Sequence, residues 1–193
     1  EHIPYELTDE QEVAIADITH DMGEERCMNR MLLGDVGTGK TVVAAFALAL
    51  AADSGFQAAM MAPTEVLARQ YAQKMGPIFD ACGIRWSILT GSTDAQERAD
   101  ILERAQSGDL QVLFGTHALI EPDVQFAELS CVIIDEQHRF GVNQRAKLRM
   151  KGPGCDLLVM TATPIPRTLA LTLYGDLDTS YIRKRPSSRP PTQ

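Results

Sequence analysis

The octapeptide GDVGTGKT, Gly34 to Thr41, combines glycines, a lysine and a hydroxyl residue in the spacing G-x-x-x-x-G-K-[ST]. Glycines let the backbone curl so that successive N–H groups point at one anion. In this pattern Lys40 reaches the β- and γ-phosphates of a nucleoside triphosphate, and the Thr41 hydroxyl coordinates Mg²⁺. The motif therefore predicts triphosphate binding. The alternative, a glycine-rich turn with an exposed lysine, does not account for its position between a predicted strand and a predicted helix.

Two adjacent carboxylates, Asp135 and Glu136, follow the apolar run CVII. Ligands of an open parallel sheet bind beyond the carboxyl ends of its strands, so we expect Gly34 and Asp135 to share one edge. There Asp135 would hold Mg²⁺ through water, and Glu136 would orient and deprotonate a water that attacks the γ-phosphate. We therefore predict Lys40, Asp135 and Glu136 as catalytic residues. A solvated acidic turn is the alternative.

Gln137 and His138 come next, and a plain triphosphatase has no evident use for them. Their natural partners are hydroxyls at a neighbouring strand end, and Thr161 and Thr163 offer two. A hydrogen bond from His138 to either threonine would report nucleotide state to the following segment. The alternative is a surface histidine that is satisfied locally.

Short apolar runs alternate with longer amphipathic segments along the chain. We predict strands at 30–34, 57–63, 86–90, 111–115, 131–135 and 157–161, and helices near 40–53, 65–75, 93–108 and 167–174. This alternation is typical of an α/β domain with a mainly parallel sheet. Because the strands lack polar alternation, we expect burial on both of their faces.

The net charge of the 193 residues is −8, and all of it falls in residues 1–60, which hold 3 basic and 11 acidic side chains. Such acidity argues against binding of polyanions through bulk charge. It leaves open a nucleic-acid site built from backbone amides and a local basic patch. The chain has one such patch, which would face DNA, another domain or solvent: Arg139, Arg145, Lys147, Arg149 and Lys151.

Neither a membrane span nor a cysteine-based framework is expected. The longest apolar-rich stretch, VVAAFALALAA, has 11 residues, too few to cross a bilayer. The four cysteines lie far apart, without the spacing of a zinc site or a small disulfide scaffold. We interpret them as buried reduced thiols of a cytoplasmic protein: Cys27, Cys82, Cys131 and Cys155.

Five motifs occur in a fixed order: GDVGTGKT, APTEVLARQ, GTHALI, IIDEQHRFGV and TATPIPRTLALTLYGDLD. The set resembles the superfamily 2 helicases and, within them, the bacterial RecG family of branch-migration helicases, over nearly the whole chain. The Mfd family of transcription-repair translocases is the alternative, although DEQH stands where that family is expected to have DEEQ. The resemblance implies a three-layer RecA-like P-loop NTPase domain, the first motor lobe, over 1–182. Residues 183–193 would begin a linker to a second lobe.

The resemblance also implies roles for individual residues. Adenine, phosphate and Mg²⁺ would be held by Gln11, Gly37, Thr38, Gly39, Lys40 and Thr41, together with Asp135. Contacts to the DNA backbone, which track a strand without reading its sequence, would come from Pro63, Thr64, Glu65, Arg69, Gly91, Ser92, Gly115 and Thr116. Coupling between the two sites would use Gln137, His138, Thr161, Ala162 and Thr163.

Further expectations follow from the same resemblance. The cofactors would be ATP and Mg²⁺, and the substrate would be branched double-stranded DNA, such as forks and Holliday junctions, in repair and recombination. The family's second lobe, with an arginine finger that raises hydrolysis roughly 10³–10⁵-fold, and its N-terminal wedge domain are not in this sequence. We therefore expect weak ATP binding and poor hydrolysis by the chain alone, from a bacterial cytoplasmic protein that is monomeric when whole. Two other classes remain alternatives: a nucleotide-sensing module that never moves on DNA, and a scaffold with a degenerate site.

Overall fold

The computed structural model describes residues 9–22, 29–34, 39–135, 147, 150–152, 155–161 and 178–182. Within these ranges the longer helices are α1 Asp9–Met22, α2 Lys40–Asp53, α3 Glu65–Ala81 and α4 Ala95–Ser107. A short 3₁₀ helix spans His117–Ile120. The strands are β1 Asn29–Gly34, β2 Gln57–Met61, β3 Trp86–Leu89, β4 Val112–Gly115, β5 Leu129–Asp135, β6 Asp156–Thr161 and β7 Asp178–Ile182.

The strands form one sheet in the order β3-β4-β2-β5-β6-β1-β7. Every neighbouring pair is parallel. The prediction of a mainly parallel sheet is therefore confirmed. Because the strands all run in one direction, their carboxyl ends meet at a single edge, where ligands of such sheets bind.

Alternate side chains of the central strands enter two separate cores. In β2, Ala58 and Met60 pack toward α1, α2 and α3, whereas Ala59 and Met61 pack toward α4. In β5, Ile133 joins the first core, and its neighbours join the second. Burial on both faces, expected from the unbroken apolar runs, is confirmed, and the domain has three layers: helices, sheet and helices.

Helix α3 is longer than predicted. We expected it to end near residue 75, but it continues to Ala81 with Pro77 inside it. Gly76 lets the continued helix pack closely against Trp86 of β3, since a β-carbon at this position would lie 2.5 Å from Cζ2 of Trp86. One turn later Phe79 is fully buried and stacks on Phe114, with ring centroids 6.0 Å apart. This burial outweighs the hydrogen bond that a proline removes from a helix.

Three of the described elements were not predicted: helix α1, strand β7 and the short 3₁₀ helix. Helix α1 covers residues to which we assigned no structure, and its Ala14 and Ile18 are buried in the core that α2 also lines. Strand β7 extends the sheet beside β1, and Arg30 lies opposite Asp178 in the register of these two parallel strands. The predicted helix at 167–174 lies outside the described residues.

The interpretation of all four cysteines as buried is wrong for Cys82, which is exposed just after α3. Its position on the helix-terminating turn, rather than on an apolar strand, explains the difference. Cys131 and Cys155 are buried thiols that form no disulfide, and Cys27 lies outside the described residues. None of the helices that the structure describes is long and apolar enough to cross a membrane.

Candidate functional site

The carboxyl edge of three adjacent strands gathers one group of predicted site residues. Lys40 begins the helix that follows β1, Asp135 ends β5, and Thr161 ends β6. Strand β6 lies between the other two, with Asp135 paired to Met160 and Leu33 paired to Thr161. The buried Thr161 is thus placed between the phosphate loop and the predicted magnesium ligand.

The start of α2 has the backbone form that the phosphate-loop motif predicts. Gly39 precedes the helix with φ 88°, a left-handed conformation that glycine adopts without steric cost. The amide of Val42 donates to the Gly39 carbonyl over 3.1 Å and closes the first turn. The positive end of a 14-residue helix therefore lies at the carboxyl edge of the sheet, where it favours an anion.

Gln11 of α1 reaches the same loop. Its side chain is fully buried, and its Nε2 donates to the Gly39 carbonyl over 3.3 Å, across 28 residues of sequence. The hydrogen bond joins α1 to the phosphate loop. Recognition of adenine by Gln11 stays a prediction, but the structure does bring this glutamine to the predicted nucleotide site.

Asp135 is only 2 % exposed and accepts a hydrogen bond at Oδ2 from the Tyr71 hydroxyl of α3. Burial raises the pKa of Asp135, while the hydrogen bond from Tyr71 and the charge of Lys40 oppose that rise. Burial also raises the pKa of Tyr71, and the neighbouring carboxylate adds to the effect. The phenol therefore remains a protonated donor at neutral pH.

These side chains fit a magnesium–nucleotide complex. Mg²⁺ is usually held by one or two carboxylates and the phosphates of its substrate, with water completing the shell. The structure provides the Asp135 carboxylate on β5, Thr41 on the first turn of α2, and Lys40 close enough to act on Asp135 electrostatically. Within the described ranges, no cluster of three histidine, cysteine or acidic side chains forms a metal cage of protein ligands alone.

A second group of predicted residues lies along the other half of the same edge, at the ends of β3, β4 and β2. Gly91 and Ser92 follow β3, Thr116 follows β4, and Thr64 follows β2. These three strands are neighbours in the sheet. The residues that we predicted to contact a DNA backbone therefore lie at the ends of three neighbouring strands, although Gly115 among them is buried.

Thr64 and Glu65 organise the start of α3 at this part of the edge. The Thr64 side chain caps the helix by accepting from the Leu67 amide over 3.2 Å. Glu65 accepts from Arg69 Nη2 over 2.8 Å and from the Ser92 hydroxyl. These two hydrogen bonds hold the pKa of the Glu65 carboxyl below its usual range, and the hydrogen bond from Ser92 has the larger effect. Since a carboxylate repels phosphate, Glu65 suits the role of positioning Arg69 and Ser92 better than direct contact.

Gly115 and Gly91 have different local requirements. A β-carbon at Gly115 would lie 2.3 Å from the Leu89 carbonyl oxygen and 2.8 Å from Cγ of Leu119. Packing between β3 and β4 alone therefore accounts for a glycine at this position. At Gly91 nothing lies within 4 Å of a β-carbon, so packing gives no reason for a glycine there.

Part of the predicted site lies outside the described residues. This applies to Gly37, Thr38, Glu136, Gln137, His138, Ala162 and Thr163. The link from His138 to Thr161 or Thr163 remains a prediction. In the basic patch, Lys147 is exposed, but Lys151 Nζ donates to the carbonyls of Glu121 and Val124 over 2.7 and 2.6 Å. Lys151 therefore stabilises the loop at 121–124 of its own domain.

Tyr71 is the site residue that the sequence analysis missed. It lies two helical turns after Thr64, on the side of α3 that also carries the buried Ala68, Ala72 and Met75. A tyrosine beside an otherwise apolar face signals a hydroxyl that needs a partner. The partner lies 64 residues away in sequence, so spacing alone does not reveal it.

A model of the family described as DEAD/DEAH box helicase matches residues 8–172. The chain is 50% identical over 187 residues to the ATP-dependent DNA helicase RecG of Bacillus subtilis (strain 168), covering 97% of this chain and 27% of that protein. It is 51% identical over 189 residues to the protein of the same name from Synechocystis sp., covering 98% and 23%. The chain thus spans about a quarter of the length of the curated relatives it matches.

Solved structures agree with the observed fold. One described as RecG bound to a three-way DNA junction is 44% identical and superposes with a TM-score of 0.84, covering 99% of this chain and 26% of that one. The Hef helicase domain of Pyrococcus furiosus, at 21% identity and a TM-score of 0.68, shares the fold over 90% of this chain and 37% of its own. The RecA-like fold implied by the sequence motifs is confirmed. The chain belongs to the DEAD/DEAH box helicase family.

Proposed function

We propose that this chain is the ATP-binding motor lobe of a DNA helicase that moves on double-stranded DNA and remodels branched DNA in repair and recombination. Relatives about half identical to it are ATP-dependent DNA helicases by name. A structure at 44% identity, with nearly all of this chain aligned, is bound to a three-way DNA junction. Branch-migration activity on forks and Holliday junctions is the finer part of the proposal.

The observation that carries the proposal is the division of one sheet edge into two halves. The ends of β1, β5 and β6 carry residues that we predicted to bind ATP, and those of β3, β4 and β2 carry residues that we predicted to contact a DNA backbone. Strands β5 and β2 are paired where the halves meet. Packed side chains, hydrogen bonds and secondary elements can carry coupling between two sites, and the β5–β2 pair joins the two halves directly.

The proposed residue roles combine this placement with those that the sequence motifs predict. Lys40 and the first turn of α2 bind the β- and γ-phosphates, while Thr41 and Asp135 hold Mg²⁺. When bound, Mg²⁺ neutralises phosphate charge that builds up during hydrolysis. Glu136 takes a proton from the attacking water, and Gln11 contacts adenine. Gln137, His138, Thr161, Ala162 and Thr163 carry the nucleotide state toward the DNA half.

DNA contacts on the other half use groups that suit phosphate. We assign them to Pro63, Thr64, Arg69, Gly91, Ser92, Gly115 and Thr116, with Glu65 holding Arg69 and Ser92 in place. Amides and hydroxyls at strand ends and helix starts bind backbone oxygens without reading bases. Such contacts let the lobe advance along any sequence.

The whole protein, we propose, also contains a second RecA-like lobe and a wedge domain, because the relatives are about four times as long as the matched region. An arginine finger from the second lobe would complete the ATP site. We place the whole protein in the bacterial cytoplasm as a monomer. The alternative of an Mfd-like transcription-repair translocase gains no support, since the relatives of about 50% identity reported above carry the RecG name.

The experiment that tests the ATP site measures binding of a fluorescent ATP analogue to this 193-residue chain with Mg²⁺. Lys40→Ala should weaken binding by at least about tenfold, since it removes a charge-assisted contact to phosphate. Lys74→Ala is the matched control, an exposed lysine on α3 away from the sheet edge. Equal binding by wild type and Lys40→Ala would contradict the assignment.

Turnover distinguishes a lobe that needs its partner from a self-sufficient enzyme. We expect negligible ATP hydrolysis by the isolated chain, with or without forked DNA. Robust turnover stimulated by DNA would show that the chain supplies its own missing groups, for example by self-association. In the longer protein, Thr64→Ala with Arg69→Ala should reduce DNA-stimulated hydrolysis, whereas a nucleotide sensor that never moves on DNA would be unaffected.

A further inference from the structure

Tyr71 and Asp135 join helix α3 to the end of β5. The Tyr71 hydroxyl donates to Oδ2 of Asp135, which is almost completely buried. A desolvated carboxylate is costly without a donor or a charge beside it. The hydroxyl supplies that donor on one side, while Lys40 provides positive charge to the same group.

The hydrogen bond distinguishes the two oxygens of the carboxylate. Oδ2 is held by a phenol whose ring is half-buried on α3 and packed against the core below the sheet edge. Among the contacts of the described residues, Oδ2 alone accepts a side-chain hydrogen bond, and we assign Oδ1 to a water of the Mg²⁺ shell. Replacing a partner that orients a metal ligand in this way commonly lowers metal affinity by about 10–100-fold.

We propose that Tyr71 is a positioning residue that fixes the Asp135 carboxylate for Mg²⁺–nucleotide binding. The inference rests on the proposed function of Asp135 as the magnesium ligand. Nothing in the phosphate-loop or carboxylate motifs includes Tyr71, which lies on a different element from both.

The position of Tyr71 on α3 gives this contact a second consequence. The same helix begins at Thr64 and Glu65, on the half of the edge assigned to DNA, and carries Arg69 one turn later. Tyr71 lies about 10 Å along the helix from Thr64, at 1.5 Å per residue. A rigid shift of α3 would therefore move Thr64, Arg69 and the Tyr71 hydroxyl together.

The test is a Mn²⁺ titration of the chain by electron paramagnetic resonance, at saturating non-hydrolysable ATP analogue, with Mn²⁺ as the probe for Mg²⁺. Tyr71→Phe keeps the ring and removes only the hydroxyl. We expect about tenfold weaker Mn²⁺ affinity, the lower end of the effect usual for such partners. The affinity for the analogue without metal should stay within about twofold of wild type. A general loss of structure would lower this affinity as well, so the measurement distinguishes the two explanations.

Two further variants make the result decisive. Gln73→Ala changes an exposed residue on the same helix and should leave the Mn²⁺ affinity unchanged. Asp135→Asn removes the ligand and should abolish the metal-dependent signal. Equal Mn²⁺ affinity in Tyr71→Phe and wild type would overturn the role of Tyr71 while leaving the ATP site intact. If wild type itself bound no Mn²⁺–nucleotide complex, or bound it as well after Lys40→Ala, the proposed function would fail as well.

Discussion

The Glu65 carboxylate at the start of α3 accepts a hydrogen bond from the Ser92 hydroxyl beyond β3, across 27 residues of sequence. The same carboxylate oxygen accepts from Arg69 one turn along the helix. In the sheet, β4 lies between β3, which precedes Ser92, and β2, which precedes α3. Two segments assigned to DNA contact are therefore held together by one acidic side chain.

Ser92→Ala should raise the pKa of Glu65 toward its ordinary value, because the largest cause of the lowered pKa is the serine hydrogen bond. Since the folded-state pKa is depressed, the network stabilises the fold at pH values above the unfolded pKa, about 4.3. That contribution is lost as the pH falls through the lower folded-state pKa. Carboxyl chemical shifts followed by NMR through an acid titration measure the change.

The control for this titration is Ser54→Ala, which removes a serine hydroxyl that donates to the Leu50 carbonyl at the end of α2. It should leave the Glu65 midpoint in place. A Glu65 midpoint that did not move in Ser92→Ala would show that the two loops are not joined through this carboxylate in solution.

Gly115→Ala should destabilise the fold by about 1–3 kcal/mol, the range usual for overpacking. The added β-carbon meets the Leu89 backbone at 2.3 Å, and backbone atoms cannot turn aside as a flexible side chain does. Gly91→Ala is the matched comparison, since open space surrounds that position. Urea unfolding of the two variants checks the difference. Equal midpoints would mean that β3 and β4 accommodate the added β-carbon without cost. The assigned DNA contact would then be the remaining reason for a glycine at position 115.

Thr64→Ala should cost about 1 kcal/mol of stability through the lost helix cap, and should also weaken DNA binding. Ser107→Ala is the control, because it removes a hydroxyl that donates to the Arg104 carbonyl and accepts from the Asp109 amide at the C-terminal end of α4, the opposite end of that helix from Ser92. Fluorescence anisotropy with labelled forked DNA separates the two effects. A similar loss of affinity in both variants would indicate that stability, not contact, explains the effect of Thr64.

Strong local signals made much of the fold predictable from the sequence. The starts of α2 and α3 were placed correctly because a glycine motif and a capping threonine mark them. Gly108 ends α4 in the left-handed conformation expected at a helix terminus. Unbroken apolar runs predicted strands buried on both faces, and the parallel sheet then brought Lys40, Asp135 and Thr161 to one edge.

The predictions that were wrong or incomplete share one physical cause: each feature depends on contacts between residues that are far apart in sequence. Helix α3 passes Pro77 because Gly76 packs against Trp86 and Phe79 packs against Phe114, and neither contact is visible in the local sequence. The pairing of Tyr71 with Asp135 likewise exists only once α3 lies beside β5. Cys82 was misjudged because its neighbours are apolar in sequence although it follows the end of a helix.

Hydrogen exchange with mass spectrometry tests the central claim, that one sheet edge holds ATP on one half and DNA on the other. We predict that a non-hydrolysable ATP analogue with Mg²⁺ slows exchange in peptides that contain Gly39–Thr41 and Asp135. Saturating forked DNA should slow exchange in peptides covering 63–69, 90–92 and 115–117. Protection by DNA that fell on the ends of β1, β5 and β6, and spared those of β3, β4 and β2, would contradict the account.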